Sequence, residues 1–241
     1  MNSLSKDIAT EMLRKQKIEG AKKIKAVDIT GVKQMLRSQR PQNEPFHVPM
    51  NGAEFREILE DCYRSSVAQR GGTFQVEPVS GALDLMSDFL TATNHKEFGV
   101  CLLGSVGNGK TTLVKALQRV INALNSLEMF SDTSTGIVIV DARDMAEYAK
   151  GNRQEFERIK RKPLLAIEDF GREAAEMLNY GNTVYPLAEL IEYRYAERLF
   201  TVLTTNLTPQ IIRERYGERV ADRLREMVVS IPFTASSFRG K

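Results

Sequence analysis

The residues Gly104-Ser105-Val106-Gly107-Asn108-Gly109-Lys110-Thr111 follow the pattern G-x-x-x-x-G-K-[ST], and Thr112 comes directly after. This spacing is that of a phosphate-binding loop. Glycines at its first, fourth and sixth positions let the backbone turn its N–H groups inward around phosphate oxygens. A helix beginning at the loop's end adds unpaired N–H groups and the positive end of a dipole. Lys110 is then placed to reach the β- and γ-phosphates, and the Thr111 hydroxyl to hold Mg²⁺. The expected chemistry is binding of a nucleoside triphosphate through Gly104–Thr112.

A phosphate loop alone does not separate kinases, GTPases, transporters and motors, so the remaining polar constellations carry the distinction. Leu164-Leu165-Ala166-Ile167 runs into two carboxylates, Glu168 and Asp169. At the carboxyl end of a parallel strand, Glu168 would hold the metal through a water and Asp169 would polarise an attacking water. Thr204-Thr205 leads to Asn206, whose amide either orients that water or caps the turn into a helix near Pro209. Arg219 and Arg223 are four apart and share one helix face. They are placed either to pair with surface glutamates or to reach the γ-phosphate of a neighbouring subunit. An arginine supplied in that way contributes about 10³–10⁵ in rate.

These groups need a scaffold that presents strand ends together. Apolar runs at Phe98–Leu103, Gly136–Asp141, Pro163–Glu168, Phe200–Thr205 and Met227–Phe233 read as strands, continuous rather than alternating, as when both faces are covered. Helical spacing follows the loop, with Leu113, Val114, Leu117, Val120, Ile121 and Leu124 on one side. A helix over Val184–Arg198 and short helices over 208–225 complete an alternation that predicts a parallel sheet with helices on both faces. Upstream, Asn51 and Glu54 open a helix carrying Phe55, Ile58, Leu59, Cys62 and Tyr63, which Gly71-Gly72 ends. Another helix is expected near Gly81–Thr93, and amphipathic helices over 5–19 and Val32–Gln39. Three prolines between Pro41 and Pro49 mark a linker, so residues 1–50 are expected to form a basic helical segment and 51–241 the nucleotide-binding core.

Composition agrees with a globular α/β protein: 241 residues, 42% hydrophobic and 27% charged. No apolar run approaches the ~20 residues of a membrane span, and the N-terminus lacks the apolar core of a signal peptide; no membrane partner and a cytoplasmic location are expected. Two cysteines, Cys62 and Cys101, and two histidines, His47 and His95, offer no metal-ligand spacing. The net charge of +3 is uneven: residues 1–40 carry ten Lys/Arg against four Asp/Glu, and the remaining 201 carry 24 against 27. A basic segment on a mildly acidic body suits nucleic acid or an acidic protein surface. Arg158, Lys160, Arg161 and Lys162, with Tyr180 and Tyr185, offer a candidate groove for single strands, or solvated charge and core packing.

In its order of motifs the chain resembles the AAA+ ATPases, and among them the DnaC/IstB-like helicase loaders. The resemblance spans roughly residues 80–241. It rests on Gly104–Thr111, Leu164–Gly171, Arg194-Tyr195, Thr204-Thr205-Asn206-Leu207, Tyr216–Leu224 and Ser237-Phe238-Arg239. It implies a five-stranded parallel AAA+ (ASCE) sheet, ATP and Mg²⁺ as ligands, Glu168 and Asp169 as the Walker B pair, Asn206 as first sensor and Arg223 as the finger. It also implies slow ATP hydrolysis stimulated by self-association or DNA, with a replicative DNA helicase and single-stranded DNA as partners. An IstB-like transposition helper and a weakly hydrolysing adaptor share the same core. A small-molecule kinase would need neither Asn206 nor Arg223. Two departures stand out. The carboxylate order is Glu-Asp, which shortens the base by a methylene and predicts slow turnover. Only about eight residues follow the last strand, so no helical lid domain is expected; Arg239 could substitute for the lid's arginine.

Overall fold

A computed structural model describes Glu11 and residues 28–38, 45–130, 136–179 and 182–234, with side chains left aside over 36–38 and 177–184. The helix expected over 5–19 (Glu11 apart), Tyr180 and the Ser237-Phe238-Arg239 motif lie outside the described residues. The chain divides into two compact units, Met1–Pro41 and Gln42–Lys241. Taken by itself, the first contributes α1 (Ile29–Ser38), whose first turn closes on the Asp28 carbonyl through Val32 N–H at 2.9 Å. Ile29, Val32 and Met35 share one of its faces.

The second unit opens with Phe46, which packs against Phe130 and Phe200 at ring-centroid distances of 5.6 and 5.0 Å, and with a buried Val48. Core packing thus begins inside the proline-rich stretch. Next come α2 (Gly52–Ala68), capped by Asn51 Oδ1 accepting from Ala53 N–H at 2.8 Å, and α3 (Ser80–Thr91). Then follow β1 (Gly99–Gly104), α4 (Lys110–Ser126), β2 (Ile137–Asp141), α5 (Ala142–Gly151), α6 (Arg153–Lys160) and β3 (Leu164–Phe170). The chain continues through β4 (Met177–Asn179), β5 (Asn182–Val184), α7 (Pro186–Ala196), β6 (Phe200–Thr205), α8 (Pro209–Tyr216), α9 (Glu218–Met227) and β7 (Val229–Phe233).

β2-β3-β6-β1-β7 is the order of the five-stranded sheet, parallel throughout. After β1 the chain crosses to the far edge and works back, so β6 lies between β1 and β3, and β7 closes the other side of β1. The strand ends carrying Gly104, Glu168 and Thr205 therefore open at one side of the sheet, where ligands bind in open α/β folds. Successive residues alternate between two cores. Val100, Leu102, Leu164, Ala166, Phe200 and Val202 face α2, α3 and α4. Cys101, Leu165, Ile167 and Leu203 face α5 through α9. Burial on both faces explains why these strands read as unbroken apolar runs.

The five expected strands are present, with ends shifted by at most two residues except β6, which coincides with its expected span. Unforeseen were α5, α6 and the antiparallel β4–β5 hairpin. Both helices carry Asx caps that the sequence displays: Asp141 accepts from Arg143 N–H at 2.8 Å and Asn152 from Glu155 N–H at 3.1 Å.

Candidate nucleotide site

β1 delivers Gly104 to the sheet's open end and α4 begins at Lys110, so the loop is a strand-to-helix turn. A Cβ on Gly104 would lie 2.4 Å from Asn108 Nδ2 and 2.5 Å from the Phe233 carbonyl oxygen, so only glycine fits. Gly109 precedes the helix at φ 103°, a left-handed conformation that glycine adopts without steric cost. Asn108 is fully buried, and its Nδ2 donates to the Phe233 carbonyl at 3.0 Å, pinning the loop to the end of β7.

Lys110 turns its ammonium back into this loop. Nζ donates to Gly104 O at 2.6 Å, Ser105 O at 2.8 Å, Asn108 Oδ1 at 3.1 Å and Asn206 Oδ1 at 3.0 Å. Burial lowers the Lys110 pKa, partly opposed by the charge of Asp169. A desolvated ammonium held only by neutral acceptors gains when a phosphate oxygen replaces them.

The acidic pair occupies an irregularity in β3. Pairing with β6 slips between Ile167 and Phe170, and Asp169 takes φ 56°, a left-handed conformation that Asp tolerates better than most residues. The Asp169 N–H donates to Thr204 Oγ1 at 2.9 Å, and its carboxylate pairs with Arg172. Glu168 points inward. Its Oε1 is buried without a hydrogen-bond partner, and burial raises its pKa against the charge of Lys115 and a hydrogen bond from the Thr111 hydroxyl. The bulge therefore sends two neighbouring carboxylates to different tasks, one toward Thr111 and one toward the outer face.

The sequence allows Asn206 either to cap the helix near Pro209 or to orient a water. Thr208 is the cap of α8, its Oγ1 accepting from Ile211 N–H at 3.3 Å, and Thr205 Oγ1 takes the turn's Leu207 N–H at 3.0 Å. The Asn206 amide is left for Lys110, 96 positions away in sequence.

Arg219 and Arg223 lie on α9, which packs in the core on the sheet face opposite α4. Both converge on one oxygen of Glu192 in α7: Arg219 Nε at 3.1 Å and Arg223 Nη1 at 2.9 Å, the latter without hydrogen-bond alignment. Arg223 also lies over the Tyr195 ring, 5.4 Å from its centroid, and its side chain is 20% exposed against 71% for Arg219. The nearby Arg194 has no solvent exposure. Its guanidinium donates to Thr201 Oγ1 at 2.8 Å and to the carbonyls of Lys160, Lys162 and Phe200 at 3.0, 2.7 and 2.6 Å, so its role is to clamp elements together.

Of the basic cluster before β3, Arg158, Lys160 and Arg161 pair with acids. Lys160 is buried between Glu157 at 2.7 Å and Glu189 at 2.9 Å, Arg158 pairs with Glu155, and Arg161 pairs with Glu157 at 3.1 Å. These three are not bare cations. Sequence reasoning did not foresee the cavity of about 610 Å³ beside the loop, between Gly107–Thr112 and the C-terminal end of α2. That volume suits a nucleotide-sized ligand. Tyr63, Val67 and Phe74 give it an apolar wall, and Arg70 stands between that wall and the loop. Gly71-Gly72, read from sequence only as a helix stop, forms part of its lining.

No family model and no curated protein matches the sequence. Solved structures do match. The crystal structure of the DnaC helicase loader is 20% identical, covering 71% of this chain and 98% of its own, with a TM-score of 0.52. The crystal structure of DnaI is also 20% identical, covering 75% of this chain and 93% of its own, with a TM-score of 0.52. With its loop, its strand order and these likenesses, the chain has the parallel α/β P-loop fold seen in the DnaC and DnaI structures.

Proposed function

We propose that this protein is an ATP-hydrolysing switch of DNA replication that completes its site by self-association and loads a replicative helicase onto single-stranded DNA in the cytoplasm. The observation that carries the ATPase reading is the meeting of Lys110 with Asn206, beside Glu168 and Asp169 at the same end of the sheet. A phosphate loop that only binds nucleotide has no need of an amide from a strand tip against its lysine.

The residues present fit ATP with Mg²⁺. A buried, unpartnered carboxylate oxygen on Glu168, with the Thr111 hydroxyl near enough to act on its charge, offers the oxygen donors that a water-shelled Mg²⁺ requires. Bound there, Mg²⁺ would neutralise charge on the phosphate oxygens. Lys110 exchanges loop carbonyls for the terminal phosphates. Asn206, released from Lys110, orients a water. Asp169, once parted from Arg172, accepts that water's proton. Arg223 reaches the γ-phosphate of the neighbouring subunit, since its own loop lies with α4 across the sheet. The fold likeness to DnaC and DnaI and the basic segment before residue 41 support the loading role.

ATPase activity measured against protein concentration, with and without single-stranded DNA, tests this reading. A rate per subunit that rises with concentration in the wild type, and stays near zero in Arg223→Ala, is expected. Equal, concentration-independent rates in both would remove the intersubunit site. Binding of a purified replicative helicase to the full chain tests the loading role directly.

A further inference from the structure

Two positive features meet at the cavity beside the loop. The N-terminal end of α4, with Gly109, Thr111 and Thr112, lines it. Arg70, two residues beyond the end of α2, lines it as well. Arg70 Nη1 donates to Thr112 Oγ1 at 3.1 Å, 42 positions away, and among the described residues no carboxylate lines the cavity. Among the described residues Arg70 has no ion-pair partner. A cation held at a helix N-terminus is unfavourable unless an anion lies between them. If Arg70 merely completed the C-terminal turn of α2, its guanidinium would meet that helix's own last carbonyls; it crosses to α4 instead.

We infer that Arg70 is a phosphate-contacting residue of the nucleotide site, supplied in cis from the end of α2. The inference rests on nucleotide binding at the loop. Its position fixes which phosphate it meets. Lys110 and Thr111 serve the terminal phosphates and Mg²⁺, whereas Arg70 bonds the residue after them and stands next to the apolar wall of Tyr63, Val67 and Phe74. That boundary is where the phosphate nearest the sugar must lie when the base sits against the wall. Arg70 therefore grips the part of the ligand that ATP and ADP share, and holds nucleotide after hydrolysis as firmly as before it.

Binding of a fluorescent ADP analogue and of ATP, each with Mg²⁺, to full-length wild type, Arg70→Met and Arg70→Lys tests this, alongside thermal unfolding without nucleotide. Arg70→Met is expected to weaken both ligands by the same factor, about tenfold or more. Arg70→Lys should recover part of that loss, with nucleotide-free melting unchanged in both variants. ADP affinity within twofold of wild type in Arg70→Met would overturn the inference and leave the ATPase reading standing. So would a loss confined to ATP, or one that tracks a lowered nucleotide-free melting temperature in both variants. A wild type that binds neither ligand would overturn the ATPase reading itself.

Discussion

Glu168 keeps a carboxylate oxygen in the protein interior with no donor facing it, and burial raises its pKa. The sign of the pH effect follows. Above the unfolded value of about 4.3, the folded state holds a proton that the unfolded state has lost. This group's contribution is therefore most favourable in acid and is lost as pH rises through the folded value. At neutral pH the ionised form carries a cost in the absence of metal. Glu168→Gln, which copies the protonated shape, should melt about 2–4 °C higher than wild type at pH 7.5 without nucleotide, with the gap closing toward pH 5. It should also lose hydrolysis. A variant that melts lower at pH 7.5 would mean that Thr111 and Lys115 fully compensate the buried charge. The neighbouring Asp169 poses a different question, because its side chain is a methylene short for a base and pairs with Arg172. Asp169→Glu is expected to raise turnover by roughly tenfold or more, at some cost in stability from placing Glu at φ 56°. Unchanged or reduced turnover in steady-state assays would count against the expectation that the shorter side chain limits hydrolysis.

At the scale of elements, Arg194 shows how the site's supports are held. From α7 it reaches the carbonyls that follow α6 and the start of β6, and burial without a carboxylate lowers its pKa. Arg194→Met would leave the carbonyls of Lys160, Lys162, Pro163 and Phe200 and the Thr201 hydroxyl short of a donor. We expect a loss of roughly 3 kcal/mol or more, read as a lower urea midpoint with the slope unchanged; a loss below about 1 kcal/mol would mean that water replaces the guanidinium. The elements that carry the chemistry were legible because their signals are local. An apolar run, a loop of fixed spacing and a helical pattern adjoin at Phe98–Leu124, and β6 is a β-branched run bounded by Leu199 and Asn206. By contrast α6 escaped notice because Arg153–Lys160 is mostly charged and shows only Phe156 and Ile159 to a core. The same stretch carries Arg158, Lys160 and Arg161 of the candidate single-strand groove, and their pairing with acids favours the alternative of solvated and packed charge. Glu155 and Glu157 lie near them in sequence, but Glu189 reaches Lys160 only through the packing of α7. Arg70 was illegible for a related reason: its partner, Thr112, is brought to it by tertiary structure alone.

For the whole molecule, what matters is that the sheet separates the two halves of the proposed reaction. The loop helix α4 packs on one face and α9 with its arginine pair on the other. One subunit then presents a nucleotide on one side and arginines on a different side. Repeated contact of this kind is head-to-tail and gives rings or open filaments. In the isolated subunit Glu192 holds both Arg219 and Arg223, so the proposed assembly would have to exchange that carboxylate for a phosphate. The arrangement makes a prediction that no single variant can supply. Lys110→Ala subunits keep their arginines and lose the loop's cation; Arg223→Ala subunits keep the loop and lose the finger. Each should be nearly inactive alone. Mixed one to one at a concentration where wild type assembles, about a quarter of neighbouring pairs join an intact loop to an intact finger when subunits associate head to tail at random. The mixture should therefore hydrolyse ATP at about a quarter of the wild-type rate, and the recovery should fade on dilution. If instead Arg223 served its own nucleotide, the mixture would show only the sum of the two inactive proteins at every concentration.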